Sequence, residues 1–194
     1  MKIICVDDEK LITELIVSMC KEIRPTDEIF GFGRPEKAEE IIVKFGVYLR
    51  NNLDSLNKAE LIPFKKELEH TKIYTDIETM RFPDIRVEYD IEDSDFNVPA
   101  LSVQPMVENA VRHGMKDSEE GLITISARKE NNKHIITVID DGDGFDTAIL
   151  SESQSDEHIG IQNVRERIEK MCGGSLEINS GSEGTTVVIT IPEE

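Results

Sequence analysis

The spacing of apolar residues changes near Phe82, and this change constrains the fold more than any other feature of the sequence. Between about Glu36 and Phe82, apolar residues recur every three or four positions, which is typical of amphipathic helices. Downstream, five segments carry alternating or β-branched residues and predict strands: IRVEYDIE, GLITISARK, HIITVID, SLEINS and TTVVITIP. Two helical segments interrupt them, QPMVENAVRHG and HIGIQNVRERIEKM. This order predicts an α/β fold of the α+β sandwich type, an open mixed sheet covered by helices on one face.

A short βαβ fragment is predicted at the N-terminus. KIICVDDEK and EIFGF predict strands, and the helix-like LITELIVSMCKEI lies between them. The composition then changes within GFGRPEKAEE, where two glycines and a proline precede a charged helical sequence. We therefore expect a domain boundary near Gly33 to Pro35.

Two amphipathic helices are predicted between this boundary and Phe82. Apolar residues recur at three and four from Glu36 to about Ala59, and again from about Pro63 to Met80. The two helices form a hairpin or half of a dimeric bundle, or they pack on their own domain. The predicted domains are residues 1–34, 35–82 and 83–194.

The charge balance limits the partners of the chain. It carries 40 acidic and 22 basic residues, and its formal net charge is -18 at pH 7. Such a charge repels polyphosphate backbones and anionic membrane surfaces, so neither nucleic acid nor membrane is an expected partner. Any anionic ligand must be held locally, by backbone amides, a helix N-terminus or a divalent cation.

Cysteine usage and hydropathy indicate the compartment. Cys5, Cys20 and Cys172 are odd in number and widely spaced, without the paired spacing of a zinc site or a disulfide framework. No run approaches the ~18 apolar residues of a membrane span. The sequence therefore predicts a cytoplasmic chain that does not itself insert into a membrane.

The segment VENAVRHG combines an apolar stripe with a polar side. Projected as a helix at about 100° per residue, it places Val107, Ala110 and Val111 together. The opposite side carries only polar residues: Glu108, Asn109, Arg112 and His113. Pro105 suits the first helical turn and Gly114 a C-terminal cap. We predict a short, complete helix that delivers polar groups to one place.

The strand HIITVID ends in DDGDGFD, residues 140–146. Asp140 can accept a hydrogen bond from an exocyclic amine, and Gly142 and Gly144 allow positive φ and the close approach of a flat ligand. A nucleobase fits this description, and an acidic β-turn without a ligand fits it equally well. The polar stretch TAILSESQSDE then leads to Gly160, which introduces a helix. That stretch is either a lid and phosphate clamp or a plain surface loop.

Four segments, taken in order, resemble the N, G1, G2 and G3 boxes of the ATPase superfamily shared by histidine kinases, gyrase and MutL: QPMVENAVRHG, IDDGDGFD, HIGIQNVRERI and GTTVVITIP. The joint resemblance covers roughly Val98 to Pro192. LIPFKKELEHTKIYTDIETMRFPD is similar to the connecting segment of sensor histidine kinases whose acceptor lies in an Asn-Pro-His-Phe-type motif. The N-terminal strand resembles the start of a response-regulator receiver domain, with Asp7 and Asp8 as its acidic pair.

The resemblance implies a site for ATP and Mg²⁺. Asn109 would coordinate Mg²⁺ bridging the ATP phosphates, and Glu108 would be the general base that polarises the nucleophile. Asp140 would bind the adenine amine. Gly142 and Gly144 would shape the base pocket, and Gly160 and Thr185 would border the triphosphate and the base. Arg112 and Lys116 either offset phosphate charge or are solvated surface cations.

The sequence departs from the resemblance in three places. The receiver-like segment stops after its second strand, so the strand with the phosphoacceptor aspartate does not follow. No Asn-Pro-His-Phe segment is present, and His70, His134 and His158 lie in the connecting helix, at a strand start and beside the expected lid. EHIGIQN has one glycine where many of these kinases carry more. Because the chain has no Asn-Pro-His-Phe segment, we expect the acceptor histidine to come from another chain.

The sequence thus predicts a histidine-kinase-type ATP-binding domain of two-component signalling, a phosphotransferase that does not phosphorylate itself in cis. Its expected ligands are ATP and Mg²⁺. Its expected partners are a response regulator and either a second copy of the chain or a full-length histidine kinase. Two alternatives stay open: a catalytically silent nucleotide-binding module that pairs with another kinase, and a slow ATPase in which Glu108 activates water.

Overall fold

The computed structural model describes residues 2–6, 28–32, 35–56, 60–113, 121–144 and 156–193. The strands are Lys2–Val6 (β1), Glu28–Phe32 (β2), Leu61–Pro63 (β3), Ile85–Ile91 (β4), Asn97–Pro99 (β5), Gly121–Glu130 (β6), Lys133–Asp140 (β7), Ser175–Gly181 (β8) and Gly184–Pro192 (β9). The helices are Pro35–Leu56 (α1), Phe64–Arg81 (α2), Gln104–His113 (α3) and Asp156–Cys172 (α4). The chain divides into two compact units, Met1–Leu49 and Arg50–Glu194.

In the first unit, β1 and β2 pair in parallel, and the register begins with Lys2 opposite Glu28. A parallel pair needs a crossover connection, and the sequence predicts a helix for it. The predicted crossover helix lies outside the described residues, and so do Asp7 and Asp8. The receiver resemblance of this segment stays a prediction.

The amphipathic pattern of α1 produces a helix with nearly the predicted bounds. Phe45 and Tyr48 stack on each other, with ring centroids 5.9 Å apart. Several large aliphatic side chains of α1 are exposed: Ile42, Val43, Val47 and Leu49. Among the described residues, no helix has the length and the apolar character that crossing a membrane requires.

Five strands of the second unit form one sheet in the order β4-β6-β7-β9-β8. β4 is parallel to β6, and the other neighbouring strands are antiparallel. Each segment that the alternation predicts as a strand downstream of Phe82 forms one of these five strands. The predicted fold class, an open mixed sheet with helices on one face, is confirmed.

The core lies between the sheet and two helices. α3 packs on β6 and β7, and α4 packs on β8 and β9. Successive side chains of a strand alternate between the two faces, so one face can be buried while the other is solvated. Ile139 on the second face is 42% exposed. On the first face the buried pairs of β7 and β9 are His134 with Ile191, Ile136 with Ile189, Val138 with Val187, and Asp140 with Thr185.

Two short strands, which the sequence does not predict, connect α2 to this unit. β3 ends immediately before α2 and pairs antiparallel with β5, which precedes the turn into α3. The Phe64 N–H donates to the Phe96 carbonyl at 2.8 Å, and the two rings stack. Three residues are too few to show a period of two. α2 thus shares a compact unit with the sheet, whereas the sequence grouped it with α1; the domain bounds themselves stay predictions.

Candidate functional site

Three of the predicted site residues, Asn109, Asp140 and Thr185, line one cavity of the second unit. They belong to α3, the end of β7 and the start of β9. They become neighbours because β7 pairs with β9 and α3 packs on β7. The rest of the wall is apolar: Met106, Ala110, Val138, Ile161, Ile178 and Val187. An apolar slot with a few polar groups is the usual form of a small-molecule site.

Asp140 is held in a fixed position at the end of β7. It is 5% exposed, and its Oδ1 accepts the backbone N–H of Gly142 at 3.1 Å and of Thr185 at 3.2 Å. The second bond forms because the register of β7 and β9 places Thr185 opposite Asp140. A carboxylate fixed in this way presents an oriented hydrogen-bond acceptor to the cavity.

Close contacts between backbone segments explain two glycines beside Asp140. Gly144 has φ 63°, and a Cβ there would lie 2.1 Å from the carbonyl oxygen of Gly181. Gly184 has φ 117°, and a Cβ there would lie 1.9 Å from the carbonyl oxygen of Asp140. The positive φ predicted for Gly144 is confirmed, its close neighbour in the structure is the main chain of β8, and the approach of a flat ligand stays a prediction. Gly142 contributes its N–H to Asp140.

The apolar stripe predicted for α3 faces the core. Val107, Ala110 and Val111 are all buried. On the other side of the helix, Asn109 is half-buried and lines the cavity, while Arg112 is exposed. Of the polar residues that the sequence grouped here, α3 therefore brings Asn109 to the site.

Glu108 lies beside Asn109 in the chain, but it does not line the cavity. It is half-buried, and its Oε1 accepts a hydrogen bond from Gln104 Nε2 at 2.8 Å. Gln104 is 2% exposed and Glu108 is half-buried, so this bond is partly shielded from water. Lys116 and the side chain of His113 lie outside the described residues.

α4 begins at Asp156, so Gly160 lies within the helix and does not precede it as predicted. Acidic residues favour a helix N-terminus, and the pair at 156 and 157 explains the earlier start. Gly160 is half-buried, and a Cβ there would meet no described atom within 4 Å. The next residue, Ile161, lines the cavity. The expected lid, TAILSESQSDE, falls mostly outside the described residues.

The sequence did not identify Glu67, a fully buried carboxylate on α2. Its oxygens accept three backbone N–H groups at the N-terminal end of α3, from Leu101 at 3.0 Å, Val103 at 3.0 Å and Gln104 at 3.3 Å. Burial raises the pKa of Glu67 and these hydrogen bonds lower it, and the pKa lies above its ordinary value. One signal was present in the sequence: Glu67 shares the buried face of α2 with Phe64 and Thr71. Buried carboxylates need partners.

The groups around the cavity have the chemistry that suits an adenine nucleotide with a divalent cation. Apolar walls suit the faces of a purine, and the fixed carboxylate of Asp140 suits an exocyclic amine. The Asn109 side chain offers an amide oxygen, which is a hard ligand of the kind that Mg²⁺ takes. A cation would also compensate for the strong negative charge of the chain near bound phosphates.

Comparison with known families agrees with this chemistry. Residues 99–194 match the family described as "Histidine kinase-, DNA gyrase B-, and HSP90-like ATPase", and residues 27–86 match the family "Histidine kinase". The solved catalytic domain of the histidine kinase ThkA is similar in structure, with a TM-score of 0.57 at 19% identity, over 69% of this chain and 98% of that domain. At this level of identity the likeness shows the fold alone.

Two curated sensor proteins are similar in sequence. Sensor histidine kinase YpdA of Escherichia coli (strain K12) is 36% identical over 167 residues, which are 82% of this chain and 29% of that protein. Sensor protein LytS of Oceanobacillus iheyensis is 30% identical over 172 residues, 81% of this chain and 29% of that protein. The chain therefore spans less than a third of the length of these two relatives.

The sheet order and the cavity beside α3, together with the first family match, define the class of the domain as an ATPase-type α/β fold. Within that class, both family matches and the two sensor proteins support a histidine-kinase ATP-binding domain. The family prediction is confirmed at this level. The Asn-Pro-His-Phe subfamily and the receiver fusion stay predictions.

Proposed function

We propose that this domain binds ATP with Mg²⁺ and transfers the γ-phosphoryl group to a histidine of another chain. The observation that carries the proposal is the buried carboxylate of Asp140, fixed by two backbone N–H groups at the end of an apolar slot. In this position it accepts a hydrogen bond from the adenine amine, while apolar side chains cover the ring. In the proposed complex Gly142 and Gly144 shape the base pocket, and Gly160 and Thr185 border the triphosphate and the base.

The proposed transfer depends on positioning and on neutralising charge. Asn109 would hold Mg²⁺ through its amide oxygen, and the ion would supply positive charge beside the phosphates. The histidine nitrogen attacks the γ-phosphorus, the bond to the β,γ-bridging oxygen breaks, and ADP leaves with the electron pair. Glu108, held by Gln104, accepts the imidazole proton. Arg112 and Lys116 offset part of the remaining phosphate charge.

The burial of two histidines supports an acceptor from another chain. His70 is 5% exposed and His134 is 7% exposed. His134 also pairs through Nδ1 with Asp93 Oδ2 at 2.5 Å. Neither imidazole can meet a phosphate in the cavity beside α3 without local unfolding. The side chains of His113 and His158 lie outside the described residues.

We further propose that the chain is of the Asn-Pro-His-Phe subfamily, with a receiver fragment at residues 1–34, a helical dimerisation or connecting region at 35–82 and the catalytic domain at 83–194. Its partners would be a response regulator and a second copy of the chain or a full-length histidine kinase. The exposed aliphatic residues of α1 support pairing, because exposed apolar clusters commonly mark interaction surfaces.

Calorimetric titration of ATP, with and without Mg²⁺, tests the binding step. Wild-type protein should bind ATP with Mg²⁺. Asp140→Asn should weaken binding roughly 10- to 100-fold, because a hydrogen bond to a charged group contributes about 1.5–3 kcal/mol. Asp143→Asn is the control, since Asp143 is exposed on the same turn and should leave the affinity unchanged. An unchanged affinity of Asp140→Asn would contradict the site.

One rival function has an observation in its favour. The missing acceptor segment favours a catalytically silent nucleotide-binding module that pairs with another kinase. Addition of a purified acceptor-helix fragment and labelled ATP separates the two, because only a competent kinase labels the fragment. Phosphate release without labelling would indicate slow ATP hydrolysis, with Glu108 activating water. No nucleotide binding at all would refute all three functions.

A further inference from the structure

The turn that precedes α3 is held from two sides by side chains of other helices. From α2, Glu67 accepts the three backbone N–H groups described above. From α4, Arg167 Nη1 donates to the carbonyl of Ala100 and, at 3.5 Å, to that of Leu101. Leu101 has φ 57°, a conformation that residues other than glycine seldom adopt, and these contacts maintain it.

A short series of hydrogen bonds leads from this turn to the proposed kinase site. Oε1 of Glu67 accepts the Gln104 N–H at 3.3 Å, and Nε2 of Gln104 donates to Glu108 Oε1 at 2.8 Å. Glu67 and Gln104 are both almost completely buried, so water cannot replace either partner. Asn109, the next residue, lines the cavity. The orientation of Glu108 and Asn109 therefore depends on where α3 begins.

We propose that Glu67 is a positioning residue for this site. Its carboxylate fixes the N-terminal end of α3 and, through Gln104, the orientation of Glu108 and Asn109. The free N–H groups and the positive end of the dipole at a helix N-terminus favour a negative charge. Since Glu67 provides that charge from a different helix, a displacement of α2 is transmitted to the start of α3. This inference rests on the proposed function.

The test compares two ligands in the complete chain. Glu67→Gln keeps the size of the side chain but turns an amide NH₂ group toward backbone N–H donors. The affinity for ATP with Mg²⁺ should fall about 10-fold or more, because substitutions behind a metal ligand typically cost 10–100-fold. The affinity for adenosine, which meets Asp140 and lacks phosphates, should stay unchanged. Glu69→Gln, at an exposed position of α2, should change neither affinity.

The outcomes separate a positioning role from a structural one. Equal losses for ATP and adenosine, or no loss for either, would overturn the positioning role. Failure of the wild-type chain to bind ATP with Mg²⁺ would overturn the proposed function, and the inference with it. Should Glu67→Gln lack the wild-type circular dichroism spectrum, Glu67→Asp, which retains the charge on a shorter side chain, is titrated instead. The same selective loss is then expected, and its absence overturns the inference.

Discussion

Gly184 tests the close backbone contact beside the site. It is the first residue of β9, and a Cβ there would lie 1.9 Å from the carbonyl oxygen of Asp140 and 2.8 Å from its carbonyl carbon. In Gly184→Ala two costs add. A side chain at φ 117°, outside the left-handed helical region, costs about 1–3 kcal/mol, and the forced backbone shift costs about 1–3 kcal/mol, as in other overpacked sites. We expect the free energy of unfolding to fall by about 2–6 kcal/mol.

Gly173→Ala is the comparison variant, with a positive φ but without the close contact. Gly173 follows α4 with φ 62°, and a Cβ there would meet no described atom within 4 Å. The variant should therefore lose only the conformational part, about 1–2 kcal/mol. Urea unfolding followed by circular dichroism gives both free energies on one scale. Equal losses for the two variants would refute the reasoning about the contact between β9 and Asp140.

The same pair of variants should differ in nucleotide binding. The atom that the new methyl group must displace belongs to the main chain of Asp140, whose carboxylate is fixed by neighbouring N–H groups. Gly184→Ala should therefore weaken the affinity for ATP in calorimetry. Gly173→Ala, at the end of α4, should keep the wild-type affinity. An unchanged affinity of Gly184→Ala would show that Asp140 tolerates the displacement.

Two hydrogen-bonded pairs give further predictions. Burial raises the pKa of Asp93, but the hydrogen bond and the charge of His134 lower it by more than burial raises it. The pKa of Asp93 therefore lies below its ordinary value. The pair should therefore stabilise the fold above about pH 4 and lose this contribution as the pH falls through the lowered pKa. In urea unfolding, His134→Gln should show a weaker acid dependence, and an unaltered one would contradict the pairing. Burial raises the pKa of Tyr89 to about 12, and its hydroxyl lies 2.7 Å from Thr75 Oγ1. An unfolded tyrosine ionises near pH 10. The stability that the neutral Tyr89 hydroxyl contributes is therefore complete below about pH 10 and is lost as the pH rises from there through about 12. In an ultraviolet absorbance titration the wild-type protein should show a tyrosine ionisation near pH 12 that Tyr89→Phe lacks. The substitution should lower the free energy of unfolding by about 1 kcal/mol at neutral pH.

Local patterns were sufficient to predict the elements that carry the candidate site. Alternation predicted the strands of the five-stranded sheet, and the apolar stripe of α3 predicted which of its sides is buried. Asn109 and Asp140 were candidates from the residues themselves, the family resemblance gave them their roles and added Thr185, and the structure brings the three to one cavity. Local patterns failed for β3 and β5, which are too short to show a period, and for the start of α4 ahead of Gly160.

By itself, the sequence determined where the five strands of the large sheet, the helical segments and the polar candidates lie, because periodicity and residue type act within a few positions. The tertiary structure alone decided which acidic groups are buried and what they hold. Thr185 lies 45 positions from Asp140, and the N–H groups bound by Glu67 lie 34 to 37 positions away. In sequence, a carboxylate on a helix resembles a solvated surface charge. When distant elements pack together, the buried carboxylate loses the water molecules that bound it. Backbone N–H groups then take their place, because a buried carboxylate needs hydrogen-bond partners.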